Sequence, residues 1–263
     1  MKNLVYILSL FVLSGSTLNA GVLIAEGNYQ GKDLYIQNPF LDSGVGFCVY
    51  EVIVNGETSV DEVNSSAFAV DLAVWKLDLG DPVVVKIKYK DGCSPKVINP
   101  EVLKPHSTYE LVSSEVNSDG VLKWSTKNET GQIPYIIEQY KWNKWVKLGE
   151  VDGKGSKVSN EYSFKIIPHS GENRVRIKQL DYSGKPRYTK EKSFRPRGVT
   201  GVSFSYEKSK KKVFFTEKTH FEIFNEYGNL VKKGYSDSVE VARLDKGVYY
   251  INYDSSFGES FKK

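Results

Sequence analysis

Asn173-Arg174-Val175-Arg176-Ile177-Lys178-Gln179-Leu180-Asp181, closed by the turn residues Gly184-Lys185, is the run that decides the fold class. It is short, carries Val and Ile, and is bounded by Gly, Asn and Asp, which is strand-and-turn spacing. The same spacing recurs at 108–116, 121–126, 134–140, 145–150, 161–167 and 187–194, so residues 107–196 read as seven strands. Asp119-Gly120 supplies one of the turns. Upstream, 22–25, 33–37, 47–54, 67–70 and 82–89 are strand candidates, with Asn55-Gly56 as a tight hairpin turn. No segment carries a convincing helical period, so the expectation is an all-β chain of tandem β-sandwich domains.

Composition agrees. There are 17 Tyr, 13 Phe and 4 Trp against 3 His and 1 Met, which favours pleated surfaces and leaves little for a histidine-based metal site. The net charge of +4 hides an asymmetry. Residues 21–106 hold 7 basic and 12 acidic side chains, 107–196 hold 16 and 11, and 197–263 hold 12 and 9. Proline-bearing joints at Asn99-Pro100 to Lys104-Pro105 and at Arg195-Pro196-Arg197-Gly198 separate these blocks, so the expected domains are 21–106, 107–196 and 197–263.

Residues 1–20 have the order of a secretory signal peptide: Lys2, then the apolar run Leu4 to Leu13, then small and polar residues ending at Ala20. No stretch approaches the roughly 18 apolar residues of a membrane helix, so direct membrane insertion is not expected. In an exported chain Cys48 and Cys93, the only cysteines, are expected to form a disulfide that ties either neighbouring strands or two sheets.

Catalytic chemistry is sparse. His106, His169 and His220 lie on different segments, with no His-x-x-x-His or Cys-x-x-Cys spacing, no Gly-x-Ser-x-Gly elbow and no phosphate-binding glycine loop. A Ser-His-Asp arrangement through His169 is conceivable, but a loop histidine in solvent is the simpler reading. The expectation is a chain that is not an enzyme, without catalytic residues, metal or cofactor. The basic run Lys208-Ser209-Lys210-Lys211-Lys212 reads as an exposed hairpin and not as a nucleic-acid site.

The segments Leu122-Lys123-Trp124-Ser125-Thr126, Ile137-Glu138-Gln139-Tyr140, Val146 to Val151 and Arg174 to Asp181 resemble a fibronectin type III module of secreted Bacteroidota proteins. That resemblance makes Trp124 a core residue and puts Trp145 at the family's buried aromatic position. The hairpin Lys141-Trp142-Asn143-Lys144 departs from the family's small polar turn, which leaves Trp142 as a solvent-facing tip. Trp142, Lys141 and Lys144 are therefore candidate partner-binding residues. Residues 221–231, 239–244, 246–251 and 261–263 are similar to the C-terminal sorting domain of type 9 secretion cargo, without its Tyr-Pro-Asn-Pro start.

With Gly44 to Val52, Asn99 to Pro105, Pro168 to Asn173 and Lys232-Lys233-Gly234-Tyr235, the whole chain resembles the plug proteins of the Bacteroidota type 9 secretion translocon. The resemblance implies a periplasmic protein associated with the outer membrane. Its implied partner is the translocon's large outer-membrane β-barrel, whose pore it would close. A secreted adhesin or carbohydrate-binding cargo with a working sorting domain is the alternative.

Overall fold

The computed structural model describes residues 21–42 and 44–263. The signal-peptide reading of 1–20 lies outside the described residues. Among the described residues no helix is long and apolar enough to cross a membrane. The chain is all-β, built as tandem β-sandwiches, and it divides into two compact units: residues up to Asp78 with Pro82–Leu103, and Leu79–Asp81 with Lys104–Lys263.

In the first unit, β1 (Gly21–Asn28), β3 (Val49–Val54), β4 (Glu57–Thr58) and β6 (Pro82–Tyr89) form an antiparallel sheet in the order β1-β6-β3-β4. A second sheet has the order β5-β2-β7, from β2 (Leu34–Gln37), β5 (Ala67–Val70) and β7 (Lys96–Val97). Alternation explains their packing. Val83, Val85 and Ile87 of β6 and Leu34 and Ile36 of β2 are buried in one cluster with Val52, Val54 and Val70, while Lys86, Lys88, Tyr35 and Gln37 point outward. Asn55 and Gly56, both at positive φ, make the β3–β4 turn.

The disulfide joins Cys48 to Cys93 with a Cα–Cα distance of 5.7 Å. It joins the two connections that cross between the sheets, Cys48 lying between β2 and β3 and Cys93 between β6 and β7; beside it Val49 pairs with Tyr89 at the end of β6, and Lys90 N–H donates to Cys48 O at 3.1 Å.

The second unit opens with β8 (Glu110–Val116), β9 (Val121–Lys127), β10 (Tyr135–Lys141), β11 (Lys144–Val151), β12 (Asn160–Lys165), β13 (Asn173–Leu180), β14 (Pro186–Tyr188) and β15 (Lys192–Phe194). Where the sequence spacing gave one last strand there are two, both pairing with β13. One sheet has the order β12-β9-β8 and the other β11-β10-β13-β14. A three-stranded sheet facing a sheet in this order is the fibronectin type III arrangement. Trp124 is the centre of its core, stacked on Tyr162 at 5.2 Å and edge-on to Tyr135 at 5.7 Å.

The C-terminal sheet follows: β16 (Phe204–Glu207), β17 (Lys212–Asn225), β18 (Leu230–Glu240), β19 (Val248–Tyr253) and β20 (Ser256–Lys262). Its order is β16-β17-β19-β20, with β18 also on β17. β17 runs for 14 residues and changes register between Phe214 and Thr219. One part pairs with β16 and the other with β19, which wraps the sheet around Val213, Ile223, Val241, Ile251 and Phe261. Lys208–Lys211 form the exposed β16–β17 turn.

Candidate partner-binding site in the second unit

The β10–β11 hairpin turns on two residues, Trp142 at φ 54° and Asn143 at φ 57°. Both central positions of this turn are left-handed, the type I′ geometry that matches strand twist and normally selects Asn-Gly. A Trp there carries a conformational cost of about 1 kcal/mol. Its compensation is burial: Trp142 is 9% exposed, and its indole N–H donates to Asp254 O at 3.1 Å. The expected solvent-facing tip is thus corrected. Trp142 is an internal anchor fastening the fibronectin-like sandwich to the C-terminal sheet.

Trp145 is corrected in the opposite sense. It pairs with Tyr140 on the outer face of the sheet, half-buried, with the guanidinium of Arg176 at 4.1 Å and that of Arg174 at 5.8 Å from its ring. Arg176 also lies 4.1 Å from the Tyr188 ring, and Arg174 lies 4.5 Å from that of Tyr140. The result is a cation–π ladder across β11, β10, β13 and β14, anchored by the Arg176–Glu138 ion pair at 2.7 Å.

Around Trp142 the seam is polar and ordered. Asp254, at the β19–β20 turn with φ 46°, is 4% exposed. Its carboxylate accepts from Ser170 N–H at 2.8 Å, from the Ser170 hydroxyl and from Val202 N–H at 3.3 Å, while its own N–H donates to Thr219 Oγ1 at 3.1 Å. Lys144 Nζ donates to Glu222 Oε2 at 2.6 Å. The Ser170 hydroxyl reaches Asp254 with no imidazole between them, and His169 Nδ1 faces Ser170 O at 2.6 Å. The geometry is therefore not that of a Ser-His-Asp triad.

Beside this seam lies a cavity of ≈ 320 Å³ lined by Lys141, His169, Thr219, His220 and Asp254 among others. A second cavity of ≈ 180 Å³ is also lined by Lys141, Ile167 and His220. His220, expected ahead of a strand, lies inside β17 with its ring 4.7 Å from that of Tyr235. Burial, with the neighbouring charge of Lys141, pulls its pKa down to about 4, so it is neutral at pH 7. Lys141 is 6% exposed, and burial pulls its pKa down to about 8. Sequence reasoning singled out Lys141 as a candidate but did not place His169, His220 and Asp254 beside it. No local signal could have found them, because residues 141, 169, 220 and 254 meet only through the tertiary fold.

No protein-family model matches the chain, and no curated protein matches it. Among solved structures, the chain is 11% identical to a tetra-tandem repeat from the extending region of a large adhesion protein, with a TM-score of 0.32 over 93% of this chain and 72% of that one. It is 12% identical to the FN1–FN3 domains of chicken CNTN1, with a TM-score of 0.26 over 91% and 96%. For the central fibronectin-III array of RIM-binding protein the values are 11% and 0.21, over 90% and 98%. Overlays this loose carry no argument of their own, and the tandem β-sandwich fold stands on the strand orders and cores described above.

Proposed function

We propose that this chain is a non-enzymatic, protein-binding component of the type 9 secretion system, one that occupies the periplasmic end of the outer-membrane translocon pore. The resemblance of the sequence to plug proteins motivates the reading. The observation that carries it over the cargo alternative is the seam of the second unit. A sorting domain that is to be cut from its cargo should be dispensable to what precedes it. Here Trp142 is buried against Asp254, and Ser170 and Lys144 bond to Asp254 and Glu222. Removing residues beyond Arg197 would expose Trp142 and strip Ser170 and Lys144 of those partners, which suits a resident protein that keeps its C-terminal sheet.

The surface suits reversible docking, because charged residues of both signs are interspersed on it and obligate interfaces are the more hydrophobic kind. Deleting the gene and measuring uptake of a normally excluded solute tests the proposal. The expected result is a leaky outer membrane with the barrel still present. Unchanged permeability, with the protein recovered from the medium cleaved near Arg197, would establish the secreted-cargo reading in its place.

A further inference from the structure

β8 is an edge strand: among the described residues it pairs with β9 alone, and it is exposed or half-exposed along its whole length. Such a strand turns half of its backbone N–H and C=O groups away from its one neighbour, and proteins normally blunt the open side. The wall that β14 and β15 form beside it is blunted in that way. Pro186 opens β14, Lys190 and Lys192 stand toward β15, and Thr189 N–H donates to Ile177 O at 2.9 Å. β8 instead carries Leu111 and Val112 in solvent, the latter 56% exposed. Its one irregularity, a register shift between Leu111 and Ser113, leaves residues 113–116 in unbroken register with β9.

Between β8 and that wall lies a groove of ≈ 560 Å³, within the range of about 300–1,000 Å³ typical of ligand clefts. Tyr109, Leu111 and Val112 give it an apolar side, Arg187, Lys190 and Lys192 a basic one, and no acid lines it. Arg187 is fixed in place, its guanidinium 4.4 Å from the Tyr109 ring and its Nη1 donating to Ser107 O at 2.9 Å. Among the described residues Lys190 and Lys192 have no ion-pair partner. The nearby acids are turned elsewhere: Glu191 pairs with Arg174 at 2.6 Å, Glu110 with Lys127 at 3.0 Å, and Glu115 stands opposite Lys123.

We propose that this groove takes an extended, acidic segment of a protein partner, which adds to the open edge of β8 as a further strand. Three observations select that occupant. A polypeptide backbone, unlike a lipid or a sugar, offers N–H and C=O groups at the spacing of a strand edge. Successive side chains of an added strand alternate in direction, so one set meets Leu111 and Val112. The other set reaches three cations whose charge no acid of the groove offsets, which selects Asp and Glu there. The inference goes beyond the translocon reading and does not depend on it, because every residue it uses lies within 107–196.

The test is an NMR titration of the full chain with a capped peptide of alternating valine and glutamate, about eight residues long to match a strand. The same peptide with lysine for glutamate, and one with a central proline, are the comparisons. The expected result is saturable binding of the glutamate peptide at roughly 0.1–1 mM, with new hydrogen-exchange protection at β8 amides. The lysine and proline peptides should bind about tenfold more weakly or worse, one through its charge and the other through its missing ladder donor. Val112→Lys, and Lys190→Glu combined with Lys192→Glu, should leave the melting temperature unmoved and weaken the glutamate peptide by about tenfold. Because these variants lie on opposite sides of the groove, a folding defect in one leaves the other to report on the site. Equal binding of the lysine peptide would overturn the acidic assignment, and binding without protection at β8 would overturn strand addition. Protection of β8 that grows with the concentration of the chain alone would make the occupant a second copy and overturn the foreign partner. No saturable binding by any peptide would overturn the site. None of these readouts involves outer-membrane permeability, so failure of the groove and failure of the translocon reading are told apart.

Discussion

Glu129 and Lys141 are both charged and buried in the second unit, 3% and 6% exposed, yet their surroundings are opposite. Inside the fibronectin-like sandwich, Glu129 accepts from Tyr162 OH at 2.7 Å, Tyr135 OH at 3.1 Å, Gly155 N–H at 2.8 Å and the Thr126 hydroxyl. Four donors surround one carboxylate, so the network is closed and its role is to fix how β9, β10 and β12 meet. At the seam, Lys141 has an aromatic face and no acceptor. The contrast separates a charge closed into a structural network from one held against an aromatic ring outside any such network.

Glu129→Ala should produce the largest effect. It would leave two buried tyrosine hydroxyls, a threonine hydroxyl and a backbone N–H without their acceptor, and breaking a buried charged network costs about 3–5 kcal/mol. Chemical denaturation followed by Trp124 fluorescence measures it. A loss under about 1 kcal/mol would show that the network is not the structural device described and would erase the contrast with Lys141.

Trp142→Ala tests the aromatic anchor beside Lys141 and should have the next largest effect. Truncating a buried Trp costs about 3–5 kcal/mol, and in other surroundings relief of the left-handed backbone would return part of that. Alanine keeps the strained φ of 54°, so most of the cost should remain. Trp142→Gly should be milder by roughly 1 kcal/mol at this position. If both variants unfold at the wild-type denaturant midpoint, the seam is not held by Trp142.

Most of the sandwich architecture was legible in the sequence because period-2 runs bounded by turn residues report burial directly. The Cys48–Cys93 pairing was legible because only one pairing exists. What was not legible has specific causes. The Lys141-Trp142-Asn143-Lys144 turn lacks the glycine that marks a type I′ hairpin, so nothing in it indicates that its bulky residue is held left-handed and buried. Trp145 looks like core because an aromatic in a strand usually packs inward, yet it sits on the outer face, where Arg174 and Arg176 cover it. His220 was placed ahead of a strand because β17 is long and bends at its register shift, and sequence spacing reads such a strand as two. The site itself gathers residues more than 100 positions apart, from Lys141 to Asp254, which single-sequence periodicity does not connect.

The smallest effect, and the sharpest test of the contrast, is the pH dependence of stability in Lys141→Met. A base whose folded pKa lies below its unfolded value binds fewer protons when folded, so stability rises with pH between the two values. For His220 that window runs from about 4 to the ordinary 6.5, and stability is lost as pH falls through it. For Lys141 it runs from about 8 to the ordinary 10.5, and stability is gained as pH rises through it. The charged groups around this pair are Lys144, Glu222, Asp254, Glu217 and Lys218, with Lys147 and Lys165 across the second cavity. Replacing the ammonium by an apolar chain of similar length removes the alkaline limb. It should also raise stability at pH 7 by about 1–3 kcal/mol, since an apolar substitute for a buried charge is often stabilising. The His220 pKa should rise as well, because the charge of Lys141 is the second cause of its depression, but burial, the larger cause, should keep it below 6.5. Histidine ring NMR titration and denaturation across pH 4 to 10.5 measure both limbs. A variant that keeps the alkaline gain with His220 unmoved would show that Lys141 is solvated like a surface lysine, and the distinction from Glu129 would fail.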